Sequence, residues 1–164
     1  MNVKSCVFPG SFDPVTNGHL DLIRRAAMIF DRVTVTVMEN VAKRCAFTVE
    51  ERKAFLRKCC ADMPNVKVDS WQGLLADYMA ANGETLILRG VRSVSDYISE
   101  QESHEANRLL QPCLETVLLL SKPELAVISS SLVREAAHFG ADLTALVPAE
   151  ILNDVSGRLC RGSN

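Results

Sequence analysis

Residues 3–20 read VKSCVFPGSFDPVTNGHL. The apolar run Val3–Phe8 predicts a short strand, and Phe8-Pro9-Gly10 predicts a turn at its end. Beyond Thr16 the period changes. Leu20, Ile23, Ala26, Ala27 and Phe30 recur at helical spacing, so His19–Phe30 predicts a helix with one apolar face. Thr16 suits its N-cap, which places His19 in the first helical turn. A strand, a connection stiffened by Pro9 and Pro14, and a capped helix are the opening of a βα unit.

The same alternation continues along the chain. Val33–Met38, Val66–Asp69, Thr85–Leu88 and Thr116–Leu120 are short and rich in β-formers, and each reads as a strand. Between them lie helical patterns at 48–61, 73–81 and 94–110, with further helices at 131–139 and 148–159. Thr48 with Glu51 three residues on is a capping box. Asn82-Gly83 and Gly140 are stop signals, and Pro112 closes the helix before it. Strands separated by helices predict a five-stranded parallel sheet covered on both faces, a doubly wound, Rossmann-like α/β fold. No repeat or linker divides the chain, so residues 1–164 are expected to form one domain. In such a sheet ligands bind beyond the carboxyl ends of the strands, near the switch point. The connection at residues 9–19 follows the first strand and lies at that place.

Composition bounds the function. The chain has 164 residues, 48% hydrophobic and 23% charged, with net charge −2 at pH 7. No overall basic footprint points to nucleic acid. No apolar run approaches a membrane span, and the N-terminus reads as a strand rather than a signal peptide. Six cysteines occur without a C-x-x-C pair, which predicts free thiols in a reducing compartment, the cytoplasm.

The segment 9–19 is neither a Walker loop nor a G-x-G-x-x-G fingerprint. Gly10 and Gly18 allow close approach of a bulky anion. Peptide N–H groups at the start of the first helix favour negative charge, and His19 can donate to a phosphate oxygen. The same residues also read as an ordinary capped connection with an incidental histidine. Likewise Lys43 reads as a solvated loop cation, Arg89 as a salt-bridge residue, Leu74 as core packing, and Ser129-Ser130-Ser131 as one N-cap with two spare serines. Trp71 reads as a packing residue, and His104 and His138 as structural or surface residues.

Four segments together narrow these readings. Pro9-Gly10-Ser11-Phe12-Asp13-Pro14 with Thr16-Asn17-Gly18-His19 resembles the (T/H)-x-G-H signature of the nucleotidyltransferase superfamily. Leu88-Arg89-Gly90-Val91-Arg92, Ile128-Ser129-Ser130-Ser131-Leu132-Val133-Arg134-Glu135, and Lys43 before Phe47-Thr48-x-x-Glu51-Arg52 are similar to segments of the bacterial phosphopantetheine adenylyltransferases, in the same order. The resemblance implies adenylyl transfer from ATP to 4′-phosphopantetheine, yielding dephospho-coenzyme A and pyrophosphate. The acceptor's own phosphate is the nucleophile, so no side-chain nucleophile or base is required. Catalysis then rests on positioning and charge stabilisation. On this resemblance His19 stabilises the transition state, with Lys43 and Arg92 assisting. ATP is met by Ser11, Phe12, His19, Gly90, Val91, Arg92 and Glu100, and by Leu125, Ala126, Val127, Ile128, Ser129, Ser130 and Ser131. The acceptor is met by Ser11, Lys43, Leu74, Leu75, Arg89 and Asn107. The resemblance also implies Mg²⁺ carried with the nucleotide rather than held by protein ligands, coenzyme A as a feedback inhibitor, and a homohexamer. Neither nucleic acid nor membrane is an expected partner.

The chain departs from the family pattern in places. Ser11 replaces a commoner Thr, Ser99 stands where Tyr is frequent, and Leu125 where Trp or Tyr is common. Glu102-Ser103-His104-Glu105 is more polar than the Met-containing helix usual there. Rival readings are the same chemistry on another pair, such as ATP with nicotinamide mononucleotide or CTP with glycerol phosphate, and a non-catalytic nucleotide-binding module.

Overall fold

A computed structural model describes residues 4–39 and 44–160. The predicted strand start at Val3 and the predicted site residue Lys43 lie outside the described residues. The strands are β1 Ser5–Gly10, β2 Arg32–Glu39, β3 Val66–Gln72, β4 Leu86–Val91 and β5 Glu115–Leu120. The helices are α1 Asn17–Ile29, α2 Val49–Cys59, α3 Leu75–Asn82, α4 Val94–Leu110, α5 Ser130–His138 and α6 Leu152–Leu159. Short 3₁₀ turns at Pro123–Leu125 and Ala149–Ile151 precede α5 and α6. All neighbouring strands are parallel, in the order β3-β2-β1-β4-β5. The order reverses between β1 and β4, and that reversal is the switch point of the doubly wound fold.

Side-chain alternation sorts the core into two layers. Cys6, Phe8, Val33, Val35, Val37 and Leu88 pack with buried residues of α1, α2, α5 and α6. Val7 and Ile87 face the other way, against Ala76, Tyr78 and Met79 of α3 and Leu114. Over this second face α4 is held by polar contacts: Glu100 meets Arg89, and His104 meets Thr116. None of the described α4 residues is buried, and Val94, Tyr97, Ile98, Leu109 and Leu110 are exposed.

Caps agree with the sequence reading. Thr16 and Thr48 each form a capping box, and Gly83 ends α3 with a left-handed φ of 64°. Three expectations are corrected. Phe8-Pro9-Gly10 is strand, not turn, and pairs with Val35, Thr36 and Val37 of β2. Proline is tolerated because β1 pairs with β4 only at Val7–Ile87, so Pro9 owes no ladder bond to that side. Arg89, Gly90 and Val91 lie within β4 rather than beyond it, since pairing with Leu118, Leu119 and Leu120 of β5 outweighs the poor strand preference of Arg-Gly. The helix expected from Gly73 begins at Leu75, because Gly73 holds a φ of +129° that no helix admits. Among the described residues no helix is long and apolar enough to cross a membrane.

Gly90 brings β4 against α1. A Cβ there would lie 2.3 Å from Leu22 Cδ1. Gly90→Ala should lower the unfolding free energy by about 1–2 kcal/mol through overpacking, read from the urea midpoint. A variant as stable as the parent would mean that Leu22 moves aside freely.

Candidate active site

The first turn of α1 fixes the chemistry of His19. The Thr16 peptide N–H donates to His19 Nδ1 at 3.1 Å, while Thr16 Oγ1 accepts from the His19 N–H at 3.3 Å. Because Nδ1 accepts, the neutral ring carries its proton on Nε2. Removal from water, with Arg92 and Arg89 nearby, pushes the ring's pKa down to about 4. His19 is therefore a neutral imidazole at pH 7, with Nε2–H free to act as a donor. Phe12 packs edge-on against its ring at 5.1 Å between centroids. The Phe12 ring also occupies the space that Gly10 leaves open, 3.0 Å from where a Cβ would stand, so the room at Gly10 serves Phe12 rather than an anion.

Carbonyls of the 9–14 segment would repel a phosphate, and side chains from three elements engage them. Arg89 Nη1 donates to Pro9 O at 2.8 Å, and Arg52 Nη1 to Ser11 O at 2.8 Å. Arg134 donates to Asp13 O, and Ser130 Oγ to Pro14 O at 2.8 Å. The buried Asp13 carboxylate accepts from the peptide N–H groups of Ala46 and Phe47, both at 2.9 Å. Phe12, held in this frame, adopts a left-handed φ of 47°, which is costly for a residue with a side chain.

The segment borders two cavities where β1 and β4 part. One, of about 290 Å³, is lined by residues of the segment, by His19, Arg92 and Asp96, and by Leu125, Ile128, Ser129 and Ser130. The other, of about 500 Å³, is lined by Met38, Leu75 and Ile87 and by the polar residues Ser103, His104, Asn107 and Thr116. Pro9, Gly10, Ser11, Arg89 and Glu100 belong to both walls. Helix α4 presents Asp96 and Glu100 one turn apart on one face. Glu100 takes Arg89 in a bidentate pair, 2.7 Å at each oxygen. Asp96 accepts from Arg92 Nε at 2.8 Å, and this guanidinium holds the Asp96 carboxyl below its usual range.

Of the residues singled out from sequence, Ser11, Phe12, His19, Gly90, Arg92, Glu100, Leu125, Ile128, Ser129 and Ser130 line the first cavity. Ser11, Leu75, Arg89 and Asn107 line the second. Val91, Ala126, Val127, Ser131 and Leu74 line neither; Val91 is buried, and Val127 and Leu74 are exposed. The three serine hydroxyls are engaged locally. Ser129 Oγ caps α5, Ser130 donates to Pro14 O, and Ser131 accepts from Arg134. Only Ser130 spends its proton, so what that stretch can offer a phosphate is its helix start and the O–H donors of Ser129 and Ser131. Sequence reasoning gave no role to Asp13, Arg52, Asp96 or Arg134. Arg52 carried a signal: with Phe55, Leu56 and Cys59 it occupies the apolar stripe of α2, where a lone cation must have a buried partner.

Among the described residues no group of three or more His, Cys, Asp or Glu is placed to hold a metal ion.

Comparison with known proteins matches residues 7–136 to the cytidylyltransferase-like family. The phosphopantetheine adenylyltransferase of Finegoldia magna is 44% identical over 158 residues, covering 96% of this chain and 98% of its own length. That of Levilactobacillus brevis is 45% identical over 153 residues, covering 93% and 95%. That of Clostridium tetani is 40% identical over 164 residues, covering 100% and 99%. With likeness of this degree running the length of both partners, the chain belongs to the phosphopantetheine adenylyltransferase family.

Proposed function

We propose that this protein transfers the adenylyl group of ATP to 4′-phosphopantetheine, releasing pyrophosphate and forming dephospho-coenzyme A. The observation that carries the reading is the wall common to two cavities. A nucleotide in the first and a phosphorylated arm in the second would meet at Pro9-Gly10-Ser11 and Arg89. The acceptor phosphate is already anionic and attacks the α-phosphorus in line, so the protein's task is positioning and charge stabilisation. His19 Nε2–H donates to the α-phosphate as charge builds. A neutral donor whose proton is fixed by the Thr16 cap needs no reorganisation during the step. Arg89 and Arg92 are held near the reacting groups by Glu100 and Asp96 and keep guanidinium N–H groups in reserve for phosphate oxygens. Lys43 is proposed to hold the acceptor phosphate with Arg89.

Mg²⁺ belongs to this proposal as an ion carried on the triphosphate. The two carboxylates in the nucleotide cavity are paired with arginines, which suits an ion arriving with its nucleotide better than one in a protein cage. When bound, it neutralises charge on the departing pyrophosphate. Coenzyme A, which contains the same arm, is proposed as a feedback inhibitor. A homohexamer is proposed on the family resemblance; the apolar residues that α4 leaves exposed support association between copies, and the six free thiols support a cytoplasmic location.

Pyrophosphate release with Mg²⁺ should require both ATP and 4′-phosphopantetheine. Release only with CTP and glycerol 3-phosphate, or only with nicotinamide mononucleotide, would replace the acceptor assignment. ATP binding without release on any pair would replace catalysis by binding. His19→Ala should lower kcat by about 10²-fold with little change in ATP affinity. His19→Gln should regain helix-cap stability, about 0.5–1 kcal/mol over the alanine variant, without regaining most of kcat, which separates the cap from the chemistry. Near-normal kcat in either variant would remove the role.

The low pKa of His19 has a signed consequence. Between about 4 and the ordinary 6.5 the unfolded chain binds this proton and the folded chain does not, so this residue's contribution falls as pH drops through that window. By NMR the His19 ring of the free protein should stay neutral from pH 8 to about 5.5. A midpoint near 6.5 would contradict the assignment.

A further inference from the structure

The second cavity is lined by two unlike sets of side chains. Met38, Leu75 and Ile87 supply carbon, while α4 and β5 supply Ser103, His104, Asn107 and Thr116. His104 Nδ1 lies 3.1 Å from Thr116 Oγ1, and both residues are half-buried. The contact pins the imidazole to the sheet and leaves Nε2 as its remaining polar atom. We propose that His104, pinned by Thr116, is a specificity-determining residue that hydrogen-bonds an amide of the acceptor arm. The inference rests on the acceptor proposed above.

The chemistry of the ring favours an amide in particular. If the Thr116 hydroxyl donates to Nδ1, Nε2 carries a proton and needs an acceptor. If Nδ1–H donates to Thr116, Nε2 needs a donor. An amide presents both groups, so it satisfies either tautomer, whereas a hydrocarbon arm leaves the half-buried nitrogen without a partner.

Spacing assigns which amide. Glu100 stands in the wall shared with the nucleotide cavity, where the acceptor phosphate is placed. Along α4, residue 104 lies about 6 Å beyond residue 100, and residue 107 about 4.5 Å further. The two amides of 4′-phosphopantetheine follow each other from the phosphate with a two-carbon spacer between them. His104 therefore matches the inner amide and Asn107 the outer one. Met38, Leu75 and Ile87 receive the methyl and methylene groups.

The test compares parent, His104→Leu, His104→Gln and Thr116→Val in steady-state turnover. It uses 4′-phosphopantetheine, 4′-phosphopantothenate, which retains the inner amide, and 2,2-dimethylpropyl phosphate, which keeps the phosphate and methyl groups with no polar group at the amide's place and is measured as a competing ligand. His104→Leu should raise KM for 4′-phosphopantetheine about 10-fold and weaken 4′-phosphopantothenate equally, with kcat and KM for ATP unchanged. The Ki of 2,2-dimethylpropyl phosphate should stay within about twofold. His104→Gln, which keeps a donor and an acceptor, should recover most of the loss, and Thr116→Val should show a smaller rise with the same pattern. An unchanged KM in His104→Leu overturns the proposal. So does an equal loss for all three ligands, which would mean that His104 only braces α4 against β5. A loss confined to 4′-phosphopantetheine overturns the assignment to the inner amide. If the parent protein does not turn over 4′-phosphopantetheine with ATP, the acceptor reading itself fails and this inference with it.

Discussion

The hydrogen bond from the Thr16 peptide N–H to His19 Nδ1 couples folding to chemistry in this molecule. It satisfies an N–H that the start of a helix would otherwise leave unpaired, and so helps to define where α1 begins. The same bond decides the tautomer of the imidazole and turns Nε2–H toward a donor's role. Because α1 packs on the sheet through Leu20, Leu22, Ile23 and Ala26, the ring inherits the rigidity of the core. A histidine on a mobile loop would have to be ordered anew in each catalytic cycle; this one is ordered by the fold.

Around that bond the protein solves an electrostatic problem. A connection rich in carbonyl oxygens lies at the place where phosphates are proposed to bind. Arg52, Arg89, Arg134 and Ser130, from α2, β4 and α5, take up the carbonyls of Ser11, Pro9, Asp13 and Pro14. The buried Asp13 carboxylate then ties the segment to the entry of α2. Arginine suits this work because its fork bonds in several directions at once: Arg89 holds Pro9 O and both oxygens of Glu100 together. The opening between β1 and β4 makes this possible. Were the two strands paired along their whole length, Arg89 would find a ladder in place of a free carbonyl.

The legible part of the fold was its periodic part. Helix α4 is legible at both ends, Val94 and Leu110, because its pattern is long and Pro112 follows. Thr16 and Thr48 were readable as caps because side-chain capping is local. The places where composition and structure differ share a cause. Pro9-Gly10 and Arg89-Gly90 have turn-like composition, and they are strand because neighbours distant in sequence pair with them. The site divides along the same line. His19 and Arg92 could be marked from motifs, while the pairing of Arg89 with Glu100 and the contact of His104 with Thr116 join residues from different elements.

By itself the sequence determined the alternation of strands and helices, the caps, the family signature and the residue types able to meet phosphates. These depend on spacing along the chain and on side-chain chemistry, both of which are written in the order of residues. Only the tertiary structure decided which carbonyls the arginines hold, which nitrogen of His19 carries the proton, and that two cavities share one wall. Those are outcomes of where the strands part and how the helices pack over them. A buried donor bonds to whatever acceptor the fold brings within reach, and nothing local to the donor names that acceptor.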